Sequence, residues 1–509
     1  MAVLIREQLV ASVHPASSLL EAALDLFHAM NRAGIRYCLW KSNIRLTEGL
    51  RGQTDLDLLV DPEYAARFGE ILRQYDVKPI CAAPGRDFPT VENYLGFDEK
   101  TGKLFHLHVH YQLVLGEQLV KNHRLPLEGV FLDSAELLAG VKLPPPDLEL
   151  IVLSLRILMK YRDRDVIKDL IQYPTAGISK PFMSEIAWLL SQTSMERVAA
   201  RSAQLSYVLP ASLITDFLTA ATSDRHGRLT FQHLRQRARA ALHPYQREGR
   251  AQALGRYFRE LWRQRVERRF HETRGMTLPG AGLTIALIGS DGSGKTTLCG
   301  LLTKWLSWKM DVHAHYLGSK KPSMASSWLY TAYRLARKGR RGLAERLGQG
   351  SIPARLAARL EHALLFSHLL AVASDRHRSY VRGAAKARRG SIVIFDRFPY
   401  KAPLDGPEIL LRAEGEQGAL TRFFAAREEA VYRKFSPADY TIVLQVTPEV
   451  SNGRKPDHSL STIRAKDACI QQLKSELRGK PASKWTIQDA DLSLEDVLLQ
   501  LKRKIWAAL

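Results

Sequence analysis

Hydrophobic and polar positions change their spacing along the chain and divide it into three predicted domains. In residues 1–146, helical and strand-like runs alternate, and the region ends at three consecutive prolines, Pro144 to Pro146, which form a stiff linker. Residues 147–275 have a spacing that favours helix almost throughout. In residues 283–509, strands and helices alternate as a parallel α/β domain requires. The pattern predicts an α/β domain, a helical middle region and a second α/β domain.

A glycine-rich loop in the third region joins a predicted buried strand, residues 283–288, to a predicted helix that begins near Thr297. The loop residues are Gly289, Ser290, Asp291, Gly292, Ser293, Gly294, Lys295, Thr296 and Thr297. Glycines let backbone N–H groups face an anion, and the helix N-terminus adds partial positive charge. Lys295 can reach the β- and γ-phosphates, and the Thr296 hydroxyl can bind Mg²⁺. The loop predicts a nucleoside triphosphate site; the alternative is a turn with no ligand.

Further charged residues follow other predicted elements of the same region. A buried strand ends in Asp396 and Arg397, at the edge where open α/β sheets bind their ligands. A helix and a predicted mobile lid contribute Arg376, Arg454, Lys455, Arg464 and Lys466. Because phosphoryl transfer depends on positioning and charge neutralisation, it requires a metal ion, a lysine and several arginines around the migrating group. Each arginine alone could equally be a surface residue, but together with the loop they predict a phosphoryl-transfer site.

Composition limits the class of protein. The chain has 509 residues, 45% of them hydrophobic and 25% charged, as expected for a globular protein of two or three domains. The four cysteines are widely spaced and form no CxxC pair, which argues against a disulfide framework or a zinc site. Apolar stretches are short, and no signal peptide is evident. We therefore expect a cytoplasmic protein without a transmembrane segment.

The net charge of +22 is unevenly distributed. Arginines recur between Arg225 and Arg274, with apolar residues such as Phe258 and Trp262 interleaved at helical spacing. This pattern favours an amphipathic helix with a solvated basic face. The alternative is a surface for phosphates, nucleic acid or anionic lipid. A nucleic-acid partner is not favoured, because no nucleic-acid-binding motif accompanies the charge.

Two aspartates in the first region, Asp55 and Asp57, lie on one face of a predicted strand and could share a divalent metal ion. A later predicted strand places His106, His108 and His110 on one face, where they could bind a transition metal. Three histidines on one strand seldom complete a tetrahedral site by themselves. We therefore expect one of them to lie beside the two aspartates.

The third region resembles thymidylate kinase. The matching segments, in order, are the loop at 290–297, the helix with 374–376, the Asp-Arg-Phe sequence at 396–398, residues 436–440 and the tail at 487–497. The resemblance covers the chain from residue 283 to its end. It implies a P-loop kinase fold that uses ATP and Mg²⁺.

The resemblance also implies roles for the matching residues on the donor side. The backbone from Gly292 to Thr297 and the Lys295 side chain would hold the donor phosphates. Thr296 would bind Mg²⁺, and Asp396 would lie near the metal ion and the reacting phosphates.

On the acceptor side, the resemblance implies that Arg376 and Arg397 hold the acceptor's phosphate. Arg454 or Arg464 would be the lid arginine, and Asp291 would lie near the acceptor sugar. Kinases of this kind are often dimers, so a homodimer is compatible with the resemblance.

The segments that would form the acceptor pocket, residues 315–322 and 399–407, depart from the family's pattern. The sequence therefore supports a kinase more strongly than it supports a thymidylate substrate. The first functional hypothesis is ATP-dependent phosphoryl transfer to a nucleoside monophosphate, such as dTMP, or to another small phosphorylated acceptor.

The first region resembles nucleotidyltransferases, in which a Gly-Ser turn precedes a strand with two aspartates and a later strand supplies a third carboxylate. Here Lys41–Asn43 stands at the turn, and histidines stand where the third carboxylate is expected. A second hypothesis remains open: a bifunctional or regulatory nucleotide-binding protein with nucleotidyl transfer at Asp55 and Asp57. Modification of nucleic-acid ends is a third, resting only on the basic segments.

Overall fold

The computed structural model describes most of the chain. The described residues are 19–82, 87–116, 120–160, 178–223, 230–270, 275–319, 322–348, 350–412, 418–454, 460–478, 481 and 484–509. They form two compact units, residues 1–274 and residues 275–509. The boundary between the units lies just before the predicted second α/β domain.

The first unit contains a mixed five-stranded sheet. Its strands are β1 (Tyr37–Leu39), β2 (Asp55–Val60), β3 (Lys78–Ile80), β4 (Val91–Asp98) and β5 (Lys103–His110). Their order is β1-β2-β5-β4-β3. The central pair, β2 and β5, is parallel, whereas the other three pairs are antiparallel. Two small hairpins follow: β6 (Val114–Leu115) with β7 (His123–Arg124), and β8 (Glu136–Leu138) with β9 (Val141–Leu143).

The helices of the first unit lie before, between and after its strands. They are α1 (Glu21–Arg32), α2 (Leu46–Leu50), α3 (Ala65–Gln74), α4 (Glu128–Asp133), α5 (Pro146–Lys160), α6 (Lys180–Leu190), α7 (Met195–Gln204), α8 (Leu213–Thr222), α9 (Thr230–Ala241) and α10 (Arg250–Phe270). Helix α5 is buried along most of its length, and α6, α7, α8 and α9 pack against it. One hydrophobic core joins this helical bundle to Trp40 and Leu59. The predicted first and second domains therefore share a core.

The described part of the arginine-rich segment contains α9 and α10, in agreement with the predicted helical spacing. Residues 225–229 and 271–274 lie outside the described residues. Phe258 and Trp262 are 60% and 70% exposed, so these two apolar side chains are not covered within the described structure. Helix α10 therefore exposes apolar as well as basic side chains.

The second unit is built on a five-stranded parallel sheet. Its strands are β10 (Leu283–Gly289), β11 (Val312–Tyr316), β12 (Ile392–Asp396), β13 (Tyr440–Gln445) and β14 (Trp485–Asp489), in the order β11-β12-β10-β13-β14. Strand β12 is buried throughout and β10 over most of its length, as their continuous apolar sequences require of parallel strands covered on both faces. The central strand β10 leads directly into the glycine-rich loop.

The helices of the second unit flank this sheet or extend from it. They are α11 (Lys295–Leu306), α12 (Met324–Leu347), α13 (Ile352–Ala387), α14 (Ile409–Arg412), α15 (Ala419–Tyr432), α16 (Pro448–Arg454), α17 (Leu460–Leu477) and α18 (Leu494–Ala508). Helix α13 packs along α12, against α15, and against β11 and β12.

Helix α13 is long and apolar enough to cross a membrane by length and composition alone. Its most apolar window of 18 residues has a mean hydropathy of 1.3, and 22% of that window is buried. A single helix of this kind is weak evidence for a membrane span, because the core helices of soluble proteins pass the same test. The C-terminal part of α13 packs on the sheet through Gly383 and Ala387.

We expect Gly383→Ala to destabilise the second unit by about 1–2 kcal/mol, because overpacking outweighs the helix propensity that alanine adds. A Cβ at position 383 would lie 2.7 Å from the Phe395 ring and 3.0 Å from Val393. Denaturant unfolding of the full chain measures the change. The matched control is Gly339→Ala on α12. A Cβ at position 339 would meet nothing within 4 Å, so this substitution should stabilise the second unit. Equal effects of the two substitutions would contradict this account of the packing.

Candidate functional site

The Lys295 side chain folds back over the glycine-rich loop. Its Nζ donates hydrogen bonds to the carbonyl oxygens of Gly289 and Ser290, at 2.8 and 2.5 Å. The residue is 5% exposed. Burial, together with the nearby Arg397 guanidinium, lowers the pKa of Lys295 to about 8. Its hydrogen-bond partners are neutral oxygens, including the Ser293 hydroxyl at 3.4 Å, and phosphate oxygens would supply negative charge in direct contact with this ammonium.

The loop needs glycine at the positions where its backbone turns. Gly292 and Gly294 have φ of 77° and 81°, the left-handed region that glycine adopts without strain. A Cβ at position 292 would also lie 2.8 Å from the carbonyl oxygen of Ser451. Helix α11 begins at Lys295, two residues before the predicted start, so its N-terminal N–H groups belong to the loop. This is the backbone arrangement that binds phosphate.

Thr296 and Asp396 meet at the carboxyl edge of the sheet. In the parallel pair of β10 and β12, Leu287 lies opposite Asp396, so the carboxylate lies beside the start of α11. The Thr296 hydroxyl donates to Asp396 Oδ2 at 2.8 Å. The other oxygen, Asp396 Oδ1, is buried and has no hydrogen-bond partner among the described residues. A hydroxyl and a carboxylate oxygen that lacks a partner fit Mg²⁺, which prefers oxygen ligands.

A cavity of about 390 Å³ opens beside the loop. Its lining residues are Gly292, Ser293, Gly294, Lys295, Thr296, Thr297, Leu298, Arg397, Arg454, Ala490, Leu492, Leu494 and Val497. Arg454 donates to the carbonyl oxygens of Ala490 and Gly292, at 2.9 and 3.4 Å. Arg397 and Arg454, two of the predicted arginines, therefore line the same cavity as the loop. Apolar residues from α18 and from the segment that follows β14 also line it.

The other predicted lid residues are Arg464, Lys466 and Lys455. Arg464 on α17 is exposed and does not line the cavity. Lys466, on the opposite side of the same helix, forms an ion pair with Asp291 in the loop. Lys455 lies outside the described residues. Among the described lid residues, the two cations that contact the loop are therefore Arg454 and Lys466.

Asp291 is held within the loop by positive charge. Arg397 Nη1 lies 3.5 Å from Asp291 Oδ1, and Lys466 contacts Asp291 Oδ2. Burial alone would raise the pKa of Asp291, but Lys466, Lys295 and Arg397 outweigh it and lower the pKa to about 2. Asp291 is therefore an ionised carboxylate that fixes cations around the loop. Its predicted contact with an acceptor sugar stays a prediction.

The two arginines assigned to the acceptor are joined by a carboxylate that the sequence did not single out, Asp405. Arg376 Nη2 lies 3.4 Å from Asp405 Oδ1, and Arg397 Nη1 lies 3.7 Å from Asp405 Oδ2. Arg376 is only 4% exposed and also donates to the Asp405 carbonyl oxygen and the Tyr432 hydroxyl. Arg397 has a φ of 62°, a left-handed conformation that is rare for a side chain of this size.

Burial raises the pKa of Asp405 above its usual range, although Arg376 and Arg397 favour the charged form. Burial therefore disfavours the charged carboxylate at this position, and the two guanidinium groups offset that cost. The sequence offers no spacing signal for Asp405, because it lies in the irregular segment between β12 and α14.

A second cavity, also of about 390 Å³, lies at the carboxyl end of β11. Its lining residues are Ala314, His315, Tyr316, Gly318, Pro322, Ser323, Asp375, Arg376, Arg378, Ser379 and Arg382. Arg376 lines this cavity, and Arg397 lines the cavity beside the loop. The two cavities are therefore linked through the pair of arginines and Asp405.

In the first unit, the two aspartates of β2 face histidines of β5. The parallel register places Asp55 opposite His106 and Asp57 opposite His108. His106 Nδ1 lies 2.9 Å from Asp55 Oδ1, and His108 Nδ1 lies 2.8 Å from Asp57 Oδ1. Two histidines, rather than the one expected, thus contact the aspartates.

Lys41, from the segment that follows β1, also contacts this pair of strands. Its Nζ lies 2.8 Å from Asp57 Oδ1. Burial alone would raise the pKa of Asp57, but Lys41 and His108 outweigh it and hold the pKa well below its usual range. Asp57 is therefore a carboxylate. Nucleotidyl transfer at Asp55 and Asp57 is not tested by this arrangement and stays a prediction.

Known proteins are similar to this chain in sequence and in structure. No family model matches the sequence. The uncharacterized ATP-binding protein YghR of Escherichia coli (strain K12) is 29% identical over 206 residues, 37% of this chain and 75% of that protein. The protein of the same name from Escherichia coli O6:H1 aligns equally well. Among solved structures, deoxyadenosine kinase from M. mycoides with bound dCTP has 14% identity and a TM-score of 0.29, covering 44% of this chain and 98% of that one. This structural likeness supports no conclusion about activity.

We expect the affinity for ATP, the ligand predicted from the sequence, to fall as pH rises above about 8, the pKa of the free Lys295 ammonium. Phosphate oxygens raise that pKa, so above pH 8 binding must take up a proton and weakens by up to about tenfold per pH unit. Calorimetric titrations across this range, in buffers of different ionisation enthalpy, measure the proton uptake. Lys295→Ala should remove the dependence, and an affinity that is flat in the wild type would contradict the assignment.

Proposed function

We propose that the second unit transfers the γ-phosphate of ATP to a small phosphorylated acceptor, in the presence of Mg²⁺. A nucleoside monophosphate, with dTMP as the first candidate, is the acceptor class that the sequence resemblance supports. The observation that carries the proposal is the convergence of Lys295, Thr296, Arg397 and Arg454 on one cavity at the carboxyl edge of a parallel sheet. The ATP-binding name of the Escherichia coli relative supports the choice of nucleotide.

On the donor side, this chain would supply position and positive charge. Backbone N–H groups from Gly292 to Thr297 bind the phosphates, and Lys295 turns from its own carbonyl oxygens to the phosphate oxygens. Thr296 and Asp396 would hold Mg²⁺, which neutralises charge on the β- and γ-phosphates when bound. Arg454 lines the same cavity and stabilises the charge that develops on the transferred group.

On the acceptor side, the cavity beside β11 offers room and basic side chains. Arg378 and Arg382 line it together with Arg376. An acceptor phosphate that enters from this cavity would replace Asp405 between Arg376 and Arg397, because those two guanidinium groups pair with that carboxylate in its absence. Arginine forks bind phosphate with the same geometry as carboxylate, so the exchange needs no new donors.

We expect Lys295→Ala to lower Mg-ATP turnover by about 10²–10³-fold, since it removes the cation nearest the transferred group. The measurement is ADP release from Mg-ATP by the full chain, with dTMP and a panel of other monophosphates as acceptors. Lys304→Ala, an exposed lysine on the same helix, is the matched control and should leave turnover unchanged. A Lys295→Ala protein as active as the control would refute the proposal.

We expect Asp405→Asn to lower the KM for a phosphorylated acceptor by roughly three- to tenfold, equivalent to about 1 kcal/mol. The substitution removes the anion that competes for Arg376 and Arg397, and asparagine tolerates the left-handed φ of 55° at this position. Steady-state kinetics with the best monophosphate from the panel measure it. Glu429→Gln, which removes a surface ion pair on α15, serves as the control. A higher KM in Asp405→Asn would show that the acceptor's phosphate does not displace this carboxylate.

Substitutions also distinguish the proposed kinase from the alternative hypothesis. If the chain works as a bifunctional or regulatory protein through nucleotidyl transfer, Asp57→Ala rather than Lys295→Ala would abolish the measured activity. The pairing of Asp55 and Asp57 with histidines, where a third carboxylate was expected, does not favour this alternative.

A further inference from the structure

The first unit contains a three-residue cluster that the proposed kinase does not use. Oxygen or nitrogen atoms of Asp57, His108 and His110 all lie within 4.8 Å of one another. Two of these separations are short: 2.8 Å from His108 Nδ1 to Asp57 Oδ1, and 3.3 Å from His110 Nε2 to His108 Nδ1. His110 is only 1% exposed.

Hydrogen bonds alone leave this cluster short of partners. His108 Nδ1 carries either one hydrogen or one lone pair. If it donates a hydrogen to Asp57, it has no lone pair to accept from His110. If it accepts from His110 Nε2, its lone pair faces the Asp57 carboxylate. A single Nδ1–H could serve both contacts only as a bifurcated bond shared between Asp57 and His110, so hydrogen bonds satisfy this cluster poorly in either tautomer.

The environment of His110 adds a second observation. Its other ring nitrogen, Nδ1, is buried and has no hydrogen-bond partner among the described residues. The ring stands edge-on to Trp40, at 5.0 Å between centroids. Buried polar atoms are normally paired, so hydrogen bonding among the described residues does not explain why Nδ1 of this imidazole is buried.

We infer that Asp57, His108 and His110 form a binding site for a transition-metal dication. A metal ion accepts lone pairs from all three side chains at once, which removes the conflict over the His108 proton. Ligands about 2.0–2.2 Å from a tetrahedral zinc ion lie about 3.3–3.6 Å apart. The 3.3 Å from His110 Nε2 to His108 Nδ1 matches this spacing, whereas the 2.8 Å from His108 Nδ1 to Asp57 Oδ1 would lengthen when the ion binds. The site goes beyond the proposed kinase activity and does not depend on it.

The ligand atoms also indicate the class of metal. Two imidazole nitrogens and one carboxylate oxygen suit Zn²⁺, Fe²⁺, Mn²⁺ or Co²⁺, whereas Mg²⁺ and Ca²⁺ prefer sites made of oxygen. Three protein ligands leave coordination positions open for water or another small molecule. The site differs from the predicted pair of Asp55 and Asp57, because Asp55 lies outside the cluster and contacts His106 instead.

Lys41 contacts one of the proposed metal ligands and therefore provides a direct test of the site. Its Nζ lies 2.8 Å from Asp57 Oδ1, the oxygen that also contacts His108. The ammonium therefore competes with a metal ion for the same oxygen and repels its charge. Removing Lys41 should strengthen metal binding, whereas the loss of a residue that only supports the fold would weaken it.

The experiment titrates the full chain, stripped of metal by a chelator, with Co²⁺ and Zn²⁺. We expect one equivalent of Co²⁺ to bind with a visible absorption band typical of nitrogen coordination, and Zn²⁺ to displace it, while excess Mg²⁺ does not. His108→Gln and His110→Gln should each weaken binding at least tenfold. Lys41→Met should tighten it several-fold, with folding checked by circular dichroism.

Two controls locate the site. His123→Gln alters another partly buried histidine of the first unit, and Asp396→Asn alters the predicted Mg²⁺ site of the second unit; both should leave Co²⁺ binding unchanged. Absence of stoichiometric binding in the wild type would overturn the inference. Weaker or unchanged binding in folded Lys41→Met, or equal losses in His123→Gln and the two cluster variants, would overturn it as well.

Discussion

The parallel pairing of β10 with β12 is the constraint on which the candidate kinase site depends. Parallel strands end at the same edge, so the loop after β10 and the acid at the end of β12 are brought together without any long-range side-chain recognition. The register sets Leu287 opposite Asp396, which places the carboxylate within hydrogen-bond distance of Thr296. A slip of one residue would turn Asp396 to the other face of the sheet and separate the two.

Electrostatics then decide how this edge is organised. The cations around the loop, Lys295, Arg397 and Lys466, are mostly buried and would repel one another without anions among them. Asp291 pairs with Arg397 and Lys466, and Asp405 pairs with Arg397 and Arg376. The carboxylates thus fix the positions of the positive charges, and the proposed phosphoryl transfer would depend on such preorganised charge.

Local pattern predicted the loop and its flanking elements because they are contiguous in the chain. The strand, the glycine turns and the Lys-Thr pair follow one another in the chain, and the structure brings Asp396 to them as expected. The contacts of the remaining charged residues could not be predicted in the same way, because they depend on irregular backbone and on helix faces. Asp405 lies between elements, and the difference between Arg464 and Lys466 depends on which face of α17 meets the loop. In the first unit, alternation placed the histidines on one strand face, but one histidine was expected beside the aspartates and the register of β2 with β5 brings two there.

The left-handed backbone of Arg397 affects the stability of the fold. A left-handed φ costs an ordinary residue about 1–2 kcal/mol, whereas glycine adopts it freely. Replacing Arg397 with glycine would relieve this backbone cost, but it would also remove the guanidinium that pairs with Asp291 and Asp405. A search for heat-resistant variants that scores only folding would therefore show whether the backbone cost or the two ion pairs weigh more at this position.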